Sequence, residues 1–491
     1  MRYLYASLAA AALASAAVPA FAGTLLVPQQ FPTIQKAVSA AKPYDTVLVS
    51  AKPKGGVYNE AVTITTPNIV LQGLGNPVLD GTGLAVSVPN PYNPAFPTIT
   101  YPNGIEVRAS HVSVRGLTVQ NTGSGDYFDG SSAINAGYSA PDGSAYYNFS
   151  DIEISGVTLK NDNTGITITG MGPRAADGTI TNPAGYRVIG CVATGNFKNG
   201  ATFSGVSDIV ITGNKFTSNS QIGLSLGGFL GGVSSALVTG NQFKNNTSDG
   251  ADIYGTGLLV TANESALNGT DGLLVNTAPF SFGPAPTTAP APSAVALNSV
   301  HDNGSYGLYA QGAQTISGNS FSKNSGAGII LEGADGSAIL GNVISGTVLA
   351  SGNSGDGAGI FADFPTTPSG GDSKLKISFN QISGDAGDGI YINGYAGGVI
   401  SLNNVVKNQG VGIHLSDITH YYSSNGYTAA PTIVTQNVAV HNAVFDARDD
   451  ASAPDSLTDS NGQYYNGDGA TTLNVWAKNV FGKTDPAGLS K

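Results

Sequence analysis

Asparagine recurs along this chain in one fixed local setting. A short alternating apolar stretch leads into an asparagine, and two or three further residues of alternation follow it. SDIVITGNKFTSN, SALVTGNQFKNN, GLLVTANESALN, AVALNSVHDN, QTISGNSFSKN, SAILGNVISG, KISFNQISGD, VISLNNVVKN and PTIVTQNVAVHN all fit. Aligned in this way, the asparagines are Asn214, Asn241, Asn263, Asn298, Asn319, Asn342, Asn380, Asn403 and Asn437. Spacings of 22, 21, 23 and 23 residues recur, and the longer ones contain insertions. Upstream, the register continues with Cys191, Val157, Leu117 and Leu74, for about thirteen rungs between residues 60 and 445. A unit this short cannot bury its apolar face alone, so the repeats must stack on one another.

Nine residues after most of these positions comes a glycine opening a third short strand: GATFS, GLSLG, GADIY, GLLVN, GLYAQ, GIILE, GIYIN and GIHLS. GITIT and GIFAD belong to the same set with altered spacing. Three alternating strands per repeat, separated by Gly and Asn turns, describe a coil. Each strand stacks on its equivalent, and the ladders run along the axis at about 4.8 Å per rung. Asparagine suits such turns because it tolerates left-handed backbone, and its amide can bond the asparagine of the next rung.

With this pattern the chain resembles the right-handed parallel β-helix proteins of the pectate-lyase-like superfamily over nearly all its length. The resemblance implies an all-β, single-stranded solenoid with an N-terminal capping helix. FPTIQKAVSAAKPYDTVLVS followed by GVYNEAVTI is similar to the opening of many such proteins. Ile34 to Ala41 reads as that helix, N-capped by Thr33 and covering the open end of the coil. At the far end, NVWAKNVFGKTDPAGL resembles a closing rung, with Trp476 as a capping core residue. The expected organisation is a signal peptide over 1–22, an N-terminal cap with first strands over 23–59, the β-helix over 60–445 and a C-terminal capping segment over 446–491.

The signal reading rests on Arg2, the apolar run Leu4 to Val18 and the small-x-small site Ala20-Phe21-Ala22. It predicts a secreted or periplasmic protein without membrane insertion, expected to be a monomer. Removing Arg2 with the leader moves the net charge from −11 to −12, with only 11% of residues charged. A polyanion such as nucleic acid would be repelled. The single cysteine, Cys191, cannot form an internal disulfide, so packing and backbone ladders must hold the fold.

The resemblance does not carry a chemistry with it. Gln-Ala-Val-Ala-Leu, Asp-Phe-Ile-Phe-Gly and Leu-Gly-Arg-Pro-Trp segments of pectin methylesterases are absent. So are the Asn-Thr-Asp, Gly-His-Gly and Arg-Ile-Lys motifs of polygalacturonase-type hydrolases and the Asp-Pro-His of mannuronan epimerases. No arginine lies between 188 and 447, so the arginine-based motif of the main pectate lyases cannot be supplied there.

Strand parity supplies an address instead. In GIYIN the isoleucines point inward, so Tyr391 and Asn393 point out. The outward pairs from residue 252 onward are Asp252/Tyr254, Leu274/Asn276, Tyr309/Gln311, Ile330/Glu332, Phe361/Asp363, Tyr391/Asn393 and His414/Ser416. Earlier rungs carry small residues there, such as Thr167/Thr169 and Thr202/Ser204. Aromatics mixed with amides and carboxylates suit a polysaccharide, as ring platforms, hydroxyl partners and acid–base groups. Stacking that merely stabilises the ladder is the plainer reading. Loops 170–186, 227–235, 277–294, 364–373 and 417–431 all leave the end of this strand, while 122–132 and 345–358 lead into it.

Two chemistries are open. Glu332 and Asp363 hold the same position in consecutive rungs, about 5 Å apart, as retaining glycoside cleavage needs. β-Elimination from a uronide would instead use His414, Tyr391, His420 or Tyr421 for proton transfer. It would need Ca2+ on Asp363, Asp417 or Asp252 to neutralise the sugar carboxylate. The expected catalytic residues are therefore Glu332, Asp363, His414 and Tyr391. Asp252, Tyr254, Asn276, Tyr309, Gln311, Phe361, Asn393, Asp417, His420 and Tyr421 would bind substrate. The function expected is a carbohydrate-active enzyme, a glycoside hydrolase or polysaccharide lyase. The alternative is a non-catalytic carbohydrate-binding, structural or periplasmic accessory β-helix. Glu106, Arg108, His111 and Arg115 read as a surface ion-pair network, and His301 and His441 as structural.

Overall fold

The computed structural model describes residues 22–88, 98–123, 130–139, 146–170, 182–227, 232–277, 292–349, 355, 357–363, 372–393, 395–416, 430–450, 457–458, 464–465, 474–485 and 489. Three stacks of parallel strands wind along one axis. The first and third are joined into a thirty-stranded sheet by the long strand Ala251–Thr261, which belongs to both, and the second has fourteen strands. Every pairing between successive rungs is parallel and in step, for example Phe216 beside Phe243 and Leu331 beside Ala362. The coil expected from the asparagine repeat is therefore present. The closing segment is itself a rung, Val475–Ala477, Val480–Phe481 and Thr484–Asp485, each strand extending one of the three stacks.

Alternation decides the interior. On the second stack the middle residue of each three-residue strand points in, giving an axial row that includes Val119, Leu159, Phe216, Phe243, Val300, Phe321 and Ile344, all fully buried. Phe216 and Phe243 stack with centroids 5.7 Å apart. Upstream, Leu74 does not continue the inward register. It is 57% exposed, and Pro77, after the extra residues Gly75 and Asn76, accepts the bond from Thr118 N–H that closes the turn.

The turn between the first and second stacks takes two residues. Contrary to expectation, the left-handed residue is the one before each asparagine: Gly213, Gly240, Ala262, Leu297, Gly318, Gly341, Phe379, Leu402 and Gln436. The asparagine itself is buried and acts by hydrogen bonding. Its backbone N–H and its Nδ2 both donate to Oδ1 of the next rung's asparagine, at 2.9 Å each from Asn319 to Asn342, and Nδ2 also reaches a carbonyl of the rung before. The chain of bonds runs from Cys191 N–H to Asn479. Five residues further along each repeat a second ladder, unforeseen from the first alignment, joins Asn196, Asn219, Asn246, Asn268, Asn303 and Asn324, then resumes at Asn408 and Asn442.

Helix Ile34–Ala40 closes the N-terminal end as expected. Thr33 accepts from Lys36 N–H, and Glu60 takes the N–H groups of Ile34 and Gln35 at 2.9 Å each, placing a carboxylate at the positive end. Ile34, Ala37 and Val38 are its buried face. Trp476 packs partly buried on the core and donates its indole N–H to the buried Asp449, as a capping residue should. His111–Asp151 and Arg115–Glu153 form surface ion pairs on the first stack, while on the third stack the pair to Arg108 has a buried partner, Glu106. No helix among the described residues is long and apolar enough to cross a membrane.

Asn319→Ala would leave the N–H and amide of Asn298 without an acceptor and Val295 C=O without its donor. It should cost about 2–3 kcal/mol, read as a lowered urea midpoint, whereas Gln381→Ala, at an exposed outward site of the second stack, should stay within about 0.5 kcal/mol.

Candidate functional site

The outward face of the third stack carries two axial rows. Asp252, Leu274, Tyr309, Ile330, Phe361, Tyr391, His414 and Arg448 stand beside one another in register, rung after rung. Two residues along, Tyr254, Asn276, Gln311 and Glu332 form the second row, which continues through Asp363 and Asn393. Strand parity thus brings together the residues selected from sequence, apart from Asp417, His420 and Tyr421, which lie outside the described residues.

The second row is a chain of hydrogen bonds. Asn276 Nδ2 donates to Gln311 Oε1 at 2.5 Å, and Gln311 Nε2 donates to Tyr309 OH at 2.8 Å and Glu332 Oε2 at 3.1 Å. Tyr309 OH also donates to Glu332. From the other side, Asn393 Nδ2 reaches Asp363 Oδ1 at 3.3 Å, and Asn393 Oδ1 accepts from Tyr391 OH and Ser416 Oγ. Two carboxylates on consecutive rungs are flanked by amides both ways. Burial, together with the charge of Asp363, raises the Glu332 carboxyl above its ordinary range.

Several expectations change. Phe361 is 1% exposed and Ile330 5%, because the segment entering this strand lies over them. A Cβ on Gly355 would stand 2.2 Å from the Phe361 ring. Ala327, Ile330, Ala358 and Phe361 form a small second core with Tyr306, Tyr309 and Tyr391 against it, so Phe361 is a roofed packing residue, not an open sugar platform. Tyr391 is stacked on both faces, by Phe361 at 5.3 Å and by His414 at 4.5 Å, and so offers its edge and hydroxyl rather than a face.

His414 is outward, as parity requires, yet it is clamped. Nδ1 lies 2.8 Å from Asp388 Oδ2 and Nε2 lies 3.1 Å from Asp450 Oδ2, while Asp450 is also held by Arg448 at 2.7 Å. Burial alone would lower the imidazole pKa. The hydrogen bonds and charges of the two aspartates outweigh it and push the pKa up to about 9. With both ring nitrogens donating, His414 has no lone pair at neutral pH, and the general-base role expected for it is corrected to that of a fixed imidazolium.

Asp252 is pushed up to about 7 by burial, then by Asp249 and Asp271, with a bond from Tyr254 opposing. Asp271 rises to about 6 by burial and Asp249, and accepts from Tyr306 N–H at 3.0 Å. Asp252 and Asp363, two of the alternative Ca2+ positions in the lyase reading, are four rungs apart, about 19 Å. Among the described residues no group of three or more His, Cys, Asp or Glu could hold a metal ion. Asp388 and Asp450 were missed from sequence. Asp388 had a signal, since it precedes the strand glycine as Asp249 and Asp271 do, and Asp450 had none.

A family profile described as right handed beta helix region matches residues 179–344 and 307–469. No curated protein matches the sequence. Among solved structures, the Azotobacter vinelandii mannuronan C-5 epimerase AlgE4 A-module is similar at 18% identity over 77% of this chain and 91% of its own, with a TM-score of 0.42. The catalytic domain of a GH87 alpha-1,3-glucanase has 12% identity over 86% and 70%, TM-score 0.44, and the periplasmic alginate epimerase AlgG 11% over 90% and 84%, TM-score 0.33. At these values the likeness says nothing of chemistry.

Asp388→Asn should bring the His414 pKa down from about 9 towards 6.5, since one of its two counter-charges is lost. An NMR titration of the imidazole checks this, and an unchanged pKa would mean that the clamp does not hold the proton.

Proposed function

The chain belongs to the right-handed β-helix family, and from that premise we propose that it hydrolyses a neutral polysaccharide lying along the outward face of the third stack, with Glu332 and Asp363 as the catalytic pair. The observation that carries this is the pair itself, two carboxylates one rung apart in a row otherwise built of amides and hydroxyls. Glu332, its proton retained to higher pH by burial and by Asp363, protonates the glycosidic oxygen. Asp363 attacks the anomeric carbon, the leaving sugar departs, and Glu332 then takes a proton from the water that releases the glycosyl ester. The one-rung spacing of about 4.8 Å suits this retaining course rather than the wider inverting one. Asn276, Gln311 and Asn393 are the hydroxyl partners, and Tyr309 and Tyr391 bring ring edges and hydroxyls.

Charge argues for a neutral substrate. From residue 250 to 448 the Lys and Arg residues are Lys323, Lys374, Lys376, Lys407 and Arg448; Lys374 is in the segment leaving the third-stack strand Ile360–Asp363, and Arg448, in a third-stack strand, is held by Asp450. His414 has its charge matched by Asp388 and Asp450. Elimination or epimerisation of a uronide needs its carboxylate neutralised, and this acidic face has little to do it with. The leader-like segment 1–22 supports export to the periplasm or exterior as part of the same proposal.

A second reading, binding without turnover, is favoured by one feature: the row's polar groups already satisfy one another. Reducing ends released from neutral glucans, xylans or mannans, insensitive to chelator, are the expected result. Glu332→Gln and Asp363→Asn should each lower turnover by about 10²-fold or more while binding in affinity gels persists. Unsaturated uronide from an acidic polysaccharide would overturn the hydrolase reading, and binding without any reducing ends would replace it with the second.

A further inference from the structure

The second ladder is led into, and later interrupted, by the same succession of side chains, threonine then aspartate then asparagine. Thr122, Asp162 and Asn196 follow one another on consecutive rungs, and so do Thr347, Asp385 and Asn408. Both aspartates are 0% exposed. In each, Oδ1 accepts from the preceding threonine's N–H and Oγ1, at 2.9 and 2.8 Å for Asp162 and 3.0 Å twice for Asp385. Each aspartate N–H donates to the side-chain oxygen of the following asparagine, at 3.1 and 3.0 Å.

Elsewhere in the ladder that oxygen also receives a side-chain donor, as Asn303 Nδ2 reaches Asn324 Oδ1 at 2.9 Å. At Asp385 the Oδ2 stands where that Nδ2 would be. A Cβ on Gly359 would lie 2.8 Å from Asp385 Oδ2, just as one on Gly389 would lie 2.7 Å from Asn408 Nδ2. Neither Oδ2 finds a donor among the described residues. An ionised carboxylate here would bury one bare oxygen against another, and a single proton turns that repulsion into the missing bond.

We propose that Asp162 and Asp385 are built into the solenoid as neutral carboxylic acids, each donating Oδ2–H to the side-chain oxygen of Asn196 or Asn408, so that these two rungs unlock as pH rises. Burial pushes Asp162 up to about 8 and Asp385 up to about 7, and the threonine bonds, with the Lys160 backbone N–H at Asp162, only partly oppose it. The charged neighbours are few. Asp80, two rungs back, adds to the rise at Asp162, and Lys160 lies two residues before it on the adjoining strand. Near Asp385, Lys407 precedes Asn408, and the Asp388 carboxylate is committed to His414 and Val411 N–H. The folded pKa values lie above the ordinary carboxyl value. The contribution to stability is therefore complete below about pH 4 and is lost as pH climbs through about 7 and 8. Asp385 lies directly before the strand bearing Tyr391, and Thr347 before the one bearing Asp363, so this second lock underlies the candidate site.

Urea unfolding of the whole protein between pH 5 and 8.5, with Asp162→Asn and Asp385→Asn singly and together, tests the proposal. The wild-type unfolding constant should rise about tenfold per pH unit for each group between about pH 5 and 7. Each Asn variant should remove its own share, leaving the slope due to Asp252, Asp271 and Glu332 and, above about pH 6.5, to His414. Infrared difference spectra at pH 6, wild type minus variant, should show a carboxylic-acid carbonyl band, and they decide the matter alone if unfolding does not reverse. Absence of that band, or an unchanged pH slope in the double variant, overturns the proposal.

Discussion

The amide-to-amide bond between successive asparagines is the interaction on which the rest of the molecule depends. A two-residue corner with a left-handed residue leaves the next backbone N–H pointing away from any strand partner, buried in the wall of the coil. Asparagine supplies an acceptor for that N–H and a donor for the neighbouring carbonyl in one side chain. Left-handed backbone at Leu297, Phe379 and Leu402 costs roughly 1–2 kcal/mol apiece, and the two or three buried bonds per asparagine offset it. Because the ladder tolerates neither an extra residue nor a shift of register, the corner it occupies cannot host insertions.

That restriction decides where insertions can be. The long insertions fall at the junction leaving the third stack, with others entering it, and the outward face of that stack is the one with varied chemistry. The earlier rungs carry Thr167, Thr202 and Ser225 there, and the later ones aromatic and acidic residues. The same face shows why placement alone does not make a site. Phe361 is spent on holding down the segment above it, and His414 is neutralised between two carboxylates. On the proposed reading the chemistry falls to Glu332 with Asp363, where partial burial and the neighbouring Asp363 charge raise the Glu332 carboxyl.

Much of the architecture was legible because period and parity are local properties. The asparagine spacing, the inward isoleucines of GIYIN and the cap built on Thr33 each follow from a few adjacent residues. The second ladder was equally legible, as an asparagine five residues after the first in GNKFTSN and GNQFKNN, and the first alignment simply did not extend to it. The substitution of Asp385 into that ladder could be read by position, but not its consequence.

By itself, then, the sequence determined the coil, its rung spacing, which side chains face outward and that Glu332 and Asp363 would be neighbours. Strand geometry converts spacing directly into position, and no distant contact is needed for that. Only the tertiary structure decided which outward residues are covered, which are charged and which are committed to a partner. The segment over Phe361, the Asp388 and Asp450 clamp on His414 and the missing donor opposite Asp162 all depend on groups that meet across rungs. Those meetings pass through loops of irregular length, where neither period nor parity applies.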